Sequence, residues 1–297
     1  MPTVAFIGMG IMGSPMALNL ASAGYDVTGM ANPRAVARLV EHGGRAASSV
    51  REAVEGADFI VTMVPDSPDV ESVALGPDGI YACAPPGSLH IDCSTIRPDV
   101  ARSLVAQAAS RDIRVLDAPV SGGEAAAIEA TLSIMVGGAA DDVQRAMPIL
   151  EKMGKTIVHV GPNGAGQTVK AANQLIVAGT IELVAEALVF LEAHGVDPGA
   201  AVAVLRGGLA GSTVLDRKAD TMLARSFTPG FRVELHHKDL GIVLAAAREA
   251  GVAIPLGAHA AQLMGSLRAQ GHGGLDHSAL LLQVAELSGR QDGAAAG

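Results

Sequence analysis

The run Gly8-Met9-Gly10-Ile11-Met12-Gly13 follows the apolar stretch Val4-Ala5-Phe6-Ile7 directly and leads into a helical pattern. No other feature narrows the choice of fold as far. The first glycine permits a tight turn, the second lets a pyrophosphate approach the backbone, and the third lets helix and strand pack closely. The helix N-terminus then offers unpaired N–H groups and the positive end of its dipole to the phosphates. In a chain with 36 glycines a bare triplet means little. Its place between a first strand and a helix makes it a dinucleotide turn rather than a plain glycine turn.

The rest of the first half agrees with that start. Compact apolar runs at Phe59–Val64, Leu89–Asp92, Arg114–Leu116, Leu132–Val136 and Thr156–Val160 alternate with helical segments such as Val36–Glu41 and Val100–Ala109. Such alternation predicts an α/β fold, a Rossmann-type doubly wound parallel sheet covered on both faces. After Gly161-Pro162-Asn163-Gly164 the strand signals stop. An all-α C-terminal domain is expected, opened by a buried central helix over about residues 165–194. Gly195 should cap that helix, and Asp197-Pro198 should open the next. The expected domains are residues 1–162, binding NAD(P), and 163–297, serving substrate and oligomerisation.

Composition removes several functions. The chain has 21 basic and 30 acidic residues, a formal charge of −9, and no basic stripe interleaved with aromatics, so no nucleic-acid partner is expected. Cys83 and Cys93 are too few for a disulfide scaffold or a four-thiolate zinc site. His236 and His237 are adjacent and face different ways on a helix, so no metal site is expected. Ala21-Ser22-Ala23 imitates a signal-peptidase site, but no Lys or Arg precedes Arg34. The apolar stretch Leu175–Leu191 carries Glu182 and Glu186, which argues against a membrane span. A cytoplasmic location follows as the expectation.

The choice of coenzyme turns on the end of the second strand, about Asp26–Met30. An NAD site has an acid there to bond the ribose hydroxyls. Here Ala31-Asn32-Pro33-Arg34 follows instead, and Asp26 sits at the wrong end. Arg34 would bind a 2′-phosphate bidentately, with Asn32 donating a hydrogen bond, unless Arg34 is simply a solvated residue of the next helix. NADP is the expected coenzyme and NAD the alternative.

Three further clusters carry chemistry. Asp117-Ala118-Pro119-Val120-Ser121-Gly122-Gly123 offers a hydroxyl and two backbone N–H groups to a carboxylate. In Gly164–Gln174, Lys170, Asn173 and Gln174 stand three and four apart and share a helix face. Leu235-His236-His237-Lys238-Asp239-Leu240 places another lysine on a helix, on its own a solvated charge pair. The lysines are only Lys152, Lys155, Lys170, Lys218 and Lys238, and burying one on an apolar helix is expensive without a purpose. Asp276 reads as an N-cap and Cys93 as a packing residue.

Together these clusters resemble the β-hydroxyacid dehydrogenase family over essentially the whole chain. Arg206–Ser212, Phe227–Phe231 and Asp276–Ala279 are similar to the members that reduce tartronate semialdehyde to glycerate. The resemblance implies NAD(P)H-dependent reduction of a small semialdehyde carboxylate; oxidation of 3-hydroxyisobutyrate or another β-hydroxyacid is the alternative. It implies Lys170 as general acid, Asn173 as the group fixing the substrate oxygen, and Ser121, Gly122, Gly123 and Gln174 as substrate contacts. Gly8, Met9, Gly10, Ile11, Met12, Gly13, Asn32, Arg34, Val64, Pro65, Thr95 and Lys238 would hold the coenzyme. Lysine suits proton transfer only if desolvation brings its pKa down from about 10.4. An apolar cleft between domains would supply that, and Lys238 a second cation. Ala31 and Arg97 depart from the family pattern. A homodimer or homotetramer is implied. A dinucleotide-binding sensor without catalysis is the remaining alternative, because fold does not prove function.

Overall fold

Alternation along the first strand determines how the N-terminal half is layered. A computed structural model describes residues 2–30 and 33–290. In it β1 (Thr3–Ile7) sends Val4 and Phe6 into one apolar cluster and Ala5 and Ile7 into another. Successive strand side chains point to opposite faces, so two clusters mean a sheet covered on both sides.

The other strands are β2 (Asp26–Met30), β3 (Arg45–Ala46), β4 (Phe59–Thr62), β5 (Leu89–Asp92), β6 (Arg114–Asp117), β7 (Val120–Ser121), β8 (Leu132–Gly137) and β9 (Gly154–Gly161). Their order is β3-β2-β1-β4-β5-β6-β8-β7, with β9 also pairing β8. From β3 to β6 every pairing is parallel. The order reverses between β1 and β4, and the strand ends diverging there open the crevice where doubly wound sheets bind ligands. The wholly parallel sheet expected from the sequence does not extend to the edge, because β8 runs antiparallel to β6 and to β7. Val120 and Ser121 pair with β8, which leaves only the short helix Gly123–Ile128 in the connection. A parallel crossover needs a dozen residues or more.

Two compact units divide the chain, Met1–Lys170 and Ala171–Gly297, and the division falls inside one continuous helix, Ala165–Ala193. In the second unit Ala178, Ile181, Ala185 and Leu188 of that helix pack with Leu215, Met222, Leu240, Met264 and Leu280. Gly195 takes φ +67°, and the Asp197 carboxylate accepts from Gly199 N at the start of the next helix. The long helix is less buried than its apolar circumference suggests. Ile176, Leu183 and Phe190, seven residues apart, remain 67%, 61% and 62% exposed. One chain covers only part of a helix that is apolar almost all round. By length and composition alone this helix is long enough to cross a bilayer, yet it carries the buried Glu182 and packs in the second unit's core.

Candidate active site

Each glycine of the first turn has its own reason to be there. Gly8 takes φ +94°, and a Cβ on it would run into the Met63 carbonyl. A Cβ on Gly13 would overlap the Gly8 carbonyl oxygen, so the third glycine permits the helix Gly13–Ser22 to start against the turn. Gly10 is different: no described residue lies within 4 Å of where its Cβ would stand. No neighbour among the described residues requires that glycine, which fits a backbone left open to a phosphate group. The helix starts with no side-chain cap and no acid in its first turn, so its N–H groups suit an external acceptor. Met9 is buried in the core, so only its backbone faces the turn; Ile11 is exposed and Met12 half-buried.

At the end of β2, Ala31 and Asn32 lie outside the described residues. Arg34 is exposed in the first turn of the helix Pro33–Glu41, which has no acid in that turn. Asp26, at the opposite end of β2, pairs with Arg45 at 3.0 Å.

The carboxyl ends of three parallel strands form a polar row. Register places Thr62 beside Asp92 and Asp92 beside Asp117. Thr62 Oγ1 donates to Asp92 Oδ1 (2.7 Å), which also accepts from Ser94 N (3.1 Å). Because the Thr62 hydrogen is committed to the carboxylate, its oxygen accepts from His90 Nε2 at 2.9 Å. That leaves His90 Nδ1 to accept from the Tyr81 hydroxyl at 3.0 Å. Burial pushes His90 down to about 3 and so keeps it neutral; burial raises Asp92 to about 6. Asp92 Oδ2 is buried with no hydrogen-bond partner. Beyond these strand ends, Val64 and Thr95 are half-buried and Pro65 is exposed. Val64 N donates to Ser94 Oγ (3.0 Å). Cys93 is fully buried, and burial pushes its thiol up, as suits a packing residue. Arg97 pairs with Asp99 on the surface.

The same row anchors the start of the long helix. Asp117 accepts from Gly164 N (2.7 Å) and Gln167 N (3.0 Å), and burial raises its pKa. Gln167 donates through Nε2 to Ser94 O (2.8 Å) and accepts from Ile96 N (3.1 Å). Less than one turn further, Lys170 is 7% exposed, and its Nζ donates to Val120 O at 2.7 Å. That carbonyl immediately precedes Ser121-Gly122-Gly123, where the serine is half-buried and the glycines take φ +135° and +72°. The sequence-predicted lysine and substrate loop are therefore neighbours. Gln167, Ser94 and the His90–Asp92 cluster escaped sequence reading. The signal was present, as His90 and Asp92 interrupt an otherwise apolar strand.

In the second unit Asn173 Nδ2 donates to Gln174 Oε1 (2.8 Å), and Gln174 Nε2 donates to Asp239 Oδ2 (2.5 Å). Lys238 Nζ lies 2.8 Å from Asp239 Oδ1, the two side chains being 18% and 3% exposed. This pair is thus largely withdrawn from water, not the solvated pair that the local sequence suggests. The buried His236 places Nε2 3.4 Å from the Gln174 carbonyl and Nδ1 3.0 Å from His277 Nδ1. His237 instead packs against Gly265. Asp276 caps the turn His277–Ala279 as expected, and also accepts from Lys218, Gly230 N and Phe231 N.

Residues 3–161 match the family model described as the NAD binding domain of 6-phosphogluconate dehydrogenase. Residues 164–284 match the one described as NAD-binding of NADP-dependent 3-hydroxyisobutyrate dehydrogenase. The protein is an NAD(P)-dependent oxidoreductase acting on the hydroxyl group of β-hydroxyacids, so the non-catalytic sensor reading falls. It is 42% identical to the 2-hydroxy-3-oxopropionate reductase of Escherichia coli over 96% of this chain and 97% of that one. It is 40% identical to the 3-hydroxyisobutyrate dehydrogenase of Pseudomonas aeruginosa, covering 94% and 97%. The Mycobacterium tuberculosis 3-hydroxyisobutyrate dehydrogenase structure with L-serine superposes with a TM-score of 0.86 at 37% identity, covering 95% and 98%. The chain belongs to the β-hydroxyacid dehydrogenase family.

Proposed function

We propose that this enzyme reduces tartronate semialdehyde to glycerate, with NADPH preferred over NADH, and that residues 1–162 bind coenzyme while 163–297 serve substrate and self-association. The observation that carries the reading is the buried Lys170 ammonium, held on the Val120 carbonyl beside the Ser121–Gly123 loop. The reduced nicotinamide, when bound, supplies hydride to the substrate carbonyl carbon. Lys170 gives a proton to the carbonyl oxygen as charge develops there, and Val120 O aims the amine. Asn173, backed by Gln174, fixes that oxygen. The Ser121 hydroxyl and the N–H groups of Gly122 and Gly123 hold the substrate carboxylate. Gly8 to Gly13 serve the pyrophosphate, Asn32 and Arg34 the 2′-phosphate, and Val64, Pro65, Thr95 and Lys238 the nicotinamide half.

Similarity to the 2-hydroxy-3-oxopropionate reductase supports the substrate, and the comparable identity to a 3-hydroxyisobutyrate dehydrogenase keeps that β-hydroxyacid as the second reading. The exposed Arg34 in an acid-free first turn supports NADPH. A homodimer or homotetramer in the cytoplasm completes the reading, the exposed Ile176–Leu183–Phe190 stripe supporting self-association. The test is initial rates on tartronate semialdehyde and 3-hydroxyisobutyrate with each coenzyme. Lys170→Ala should then lower kcat by about 10²–10⁴ while NADPH still binds. Wild-type turnover in that variant overturns the assignment.

A further inference from the structure

In the second unit, Lys238, Asp239, Gln174 and Asn173 form one unbroken line of polar contacts from an ammonium to a carboxamide. We propose that Asp239 is a positioning residue that sets the orientation of the Asn173 carboxamide through Gln174, and so ties the coenzyme-side lysine to the substrate-side amide. The inference rests on the roles of Asn173 and Lys238 proposed above.

Hydrogen-bond polarity carries the argument. A carboxamide is nearly symmetric in shape, and only its partners decide which end is oxygen and which nitrogen. An ionised carboxylate accepts and cannot donate. The Gln174 atom facing Asp239 is therefore Nε2, which makes the opposite atom Oε1. An oxygen facing Asn173 needs a donor, so Asn173 turns Nδ2 toward it, which fixes Oδ1 as the other atom of that amide. One buried charge thus fixes two amides in succession.

Three neighbouring features reinforce this polarity. Gln174 is 5% exposed, so water does not offer its amide an alternative partner. Lys238 offsets the charge of the carboxylate it touches, which a buried Asp needs. His236 Nε2 approaches the Gln174 carbonyl, holding the backbone from the same helix, Val233–Ala250, that carries Asp239. Lys238 and Gln174 occupy different oxygens of one carboxylate, so both ends of the line share a single charge. The substrate oxygen meets Asn173 in one of two possible orientations, and Asp239 selects which.

The experiment uses the full-length enzyme with NADPH and tartronate semialdehyde, or 3-hydroxyisobutyrate and NADP if that pair gives the faster wild-type turnover. Asp239→Asn keeps the shape and removes the polarity. It is expected to lower kcat about tenfold or more, the loss of one well-placed hydrogen bond, and to raise the coenzyme Kd. The double variant Asp239→Asn/Gln174→Glu moves the carboxylate one residue along the line. The new acceptor at position 174 takes hydrogens from the amides at 173 and 239, so the Asn173 orientation returns while Lys238 stays without its original partner.

The double variant should therefore recover most of kcat and keep the raised coenzyme Kd. A merely structural role for Asp239 predicts no such recovery and no such split. Should Asp239→Asn fail to fold, Gln174→Leu cuts the line and leaves the Lys238–Asp239 pair. It should lower kcat with the coenzyme Kd unchanged. A kcat within twofold of wild type in Asp239→Asn or Gln174→Leu, or a double variant no faster than Asp239→Asn, overturns the inference. Lys170→Ala separates the two levels. If that variant keeps turnover, the site assignment fails; if it is inactive while Asp239→Asn is not impaired, only the positioning line fails.

Discussion

Replacing Asp92 by asparagine is expected to stabilise the first unit at neutral pH, although it removes an acceptor from a buried network. Oδ1 accepts from Thr62 Oγ1 and from Ser94 N, and an amide oxygen can accept both. Among the described residues Oδ2 is buried without a hydrogen-bond partner, so on that side nothing offsets the loss of water. Burial raises the Asp92 pKa from 3.8 to about 6, against the pull of the Ser94 and Thr62 hydrogen bonds. For a carboxyl raised on folding, its contribution to stability is complete below 3.8 and is lost as pH climbs through about 6. At about 1.4 kcal/mol per tenfold, the ionised folded state loses about 3 kcal/mol across that window. The asparagine N–H₂ left unpaired costs about 1 kcal/mol at every pH. The variant should therefore be about 2 kcal/mol more stable than the wild type at pH 7.5 and about 1 kcal/mol less stable at pH 3. His90 also titrates as the pH falls, but it does so in both proteins and drops out of the difference. Urea titration followed by near-ultraviolet tyrosine signal reads the first unit alone, since Tyr25 and Tyr81 both lie there and the chain has no Trp. A difference that does not change between pH 4 and 8, or a variant weaker than wild type at pH 7.5, refutes the reasoning.

Two other perturbations follow from the same geometry. Asp117→Ala removes the acceptor for Gly164 N and Gln167 N and should cost about 2–4 kcal/mol, two charge-assisted bonds partly offset by the carboxylate's own desolvation. Urea titration should show that loss together with a fall in kcat as the helix turn bearing Lys170 loosens; a loss below about 1 kcal/mol means water replaces the cap well. Leu183→Glu places a charge in the exposed stripe of the long helix, and light scattering should show a smaller assembly than wild type. An unchanged mass places self-association elsewhere.

The parts of the molecule legible in its sequence are those built from neighbours along the chain. The glycine turn, the strands β1, β2 and β5, the caps at Gly195 and Asp197, and the spacing of Lys170 and Asn173 all depend on residues within a few positions of one another. What escaped depends on distant pairing. Asp239 lies 65 residues from Gln174, and nothing local marks it as more than the partner of Lys238. The antiparallel edge escaped because β7 is two residues long, too short for any periodicity. Burial of the long helix was overestimated because apolar residues on every side say nothing of which side one chain can cover. The 2′-phosphate question rested on Ala31 and Asn32, outside the described residues.

The row Thr62–Asp92–Asp117 has a consequence for how the sheet finds its alignment. Strands buried on both faces are apolar at nearly every position, so hydrophobic alternation does little to distinguish one register from its neighbour. A one-residue slip of β5 along β4 would carry Asp92 away from Thr62 and send the His90 ring to the opposite face. A carboxylate and an imidazole would then sit in hydrocarbon without partners, a penalty that neighbouring aliphatic residues could not absorb. The buried acid that weakens the native state at neutral pH thereby weakens misaligned sheets far more. An apolar residue at position 92 would leave β5 free to pair out of step.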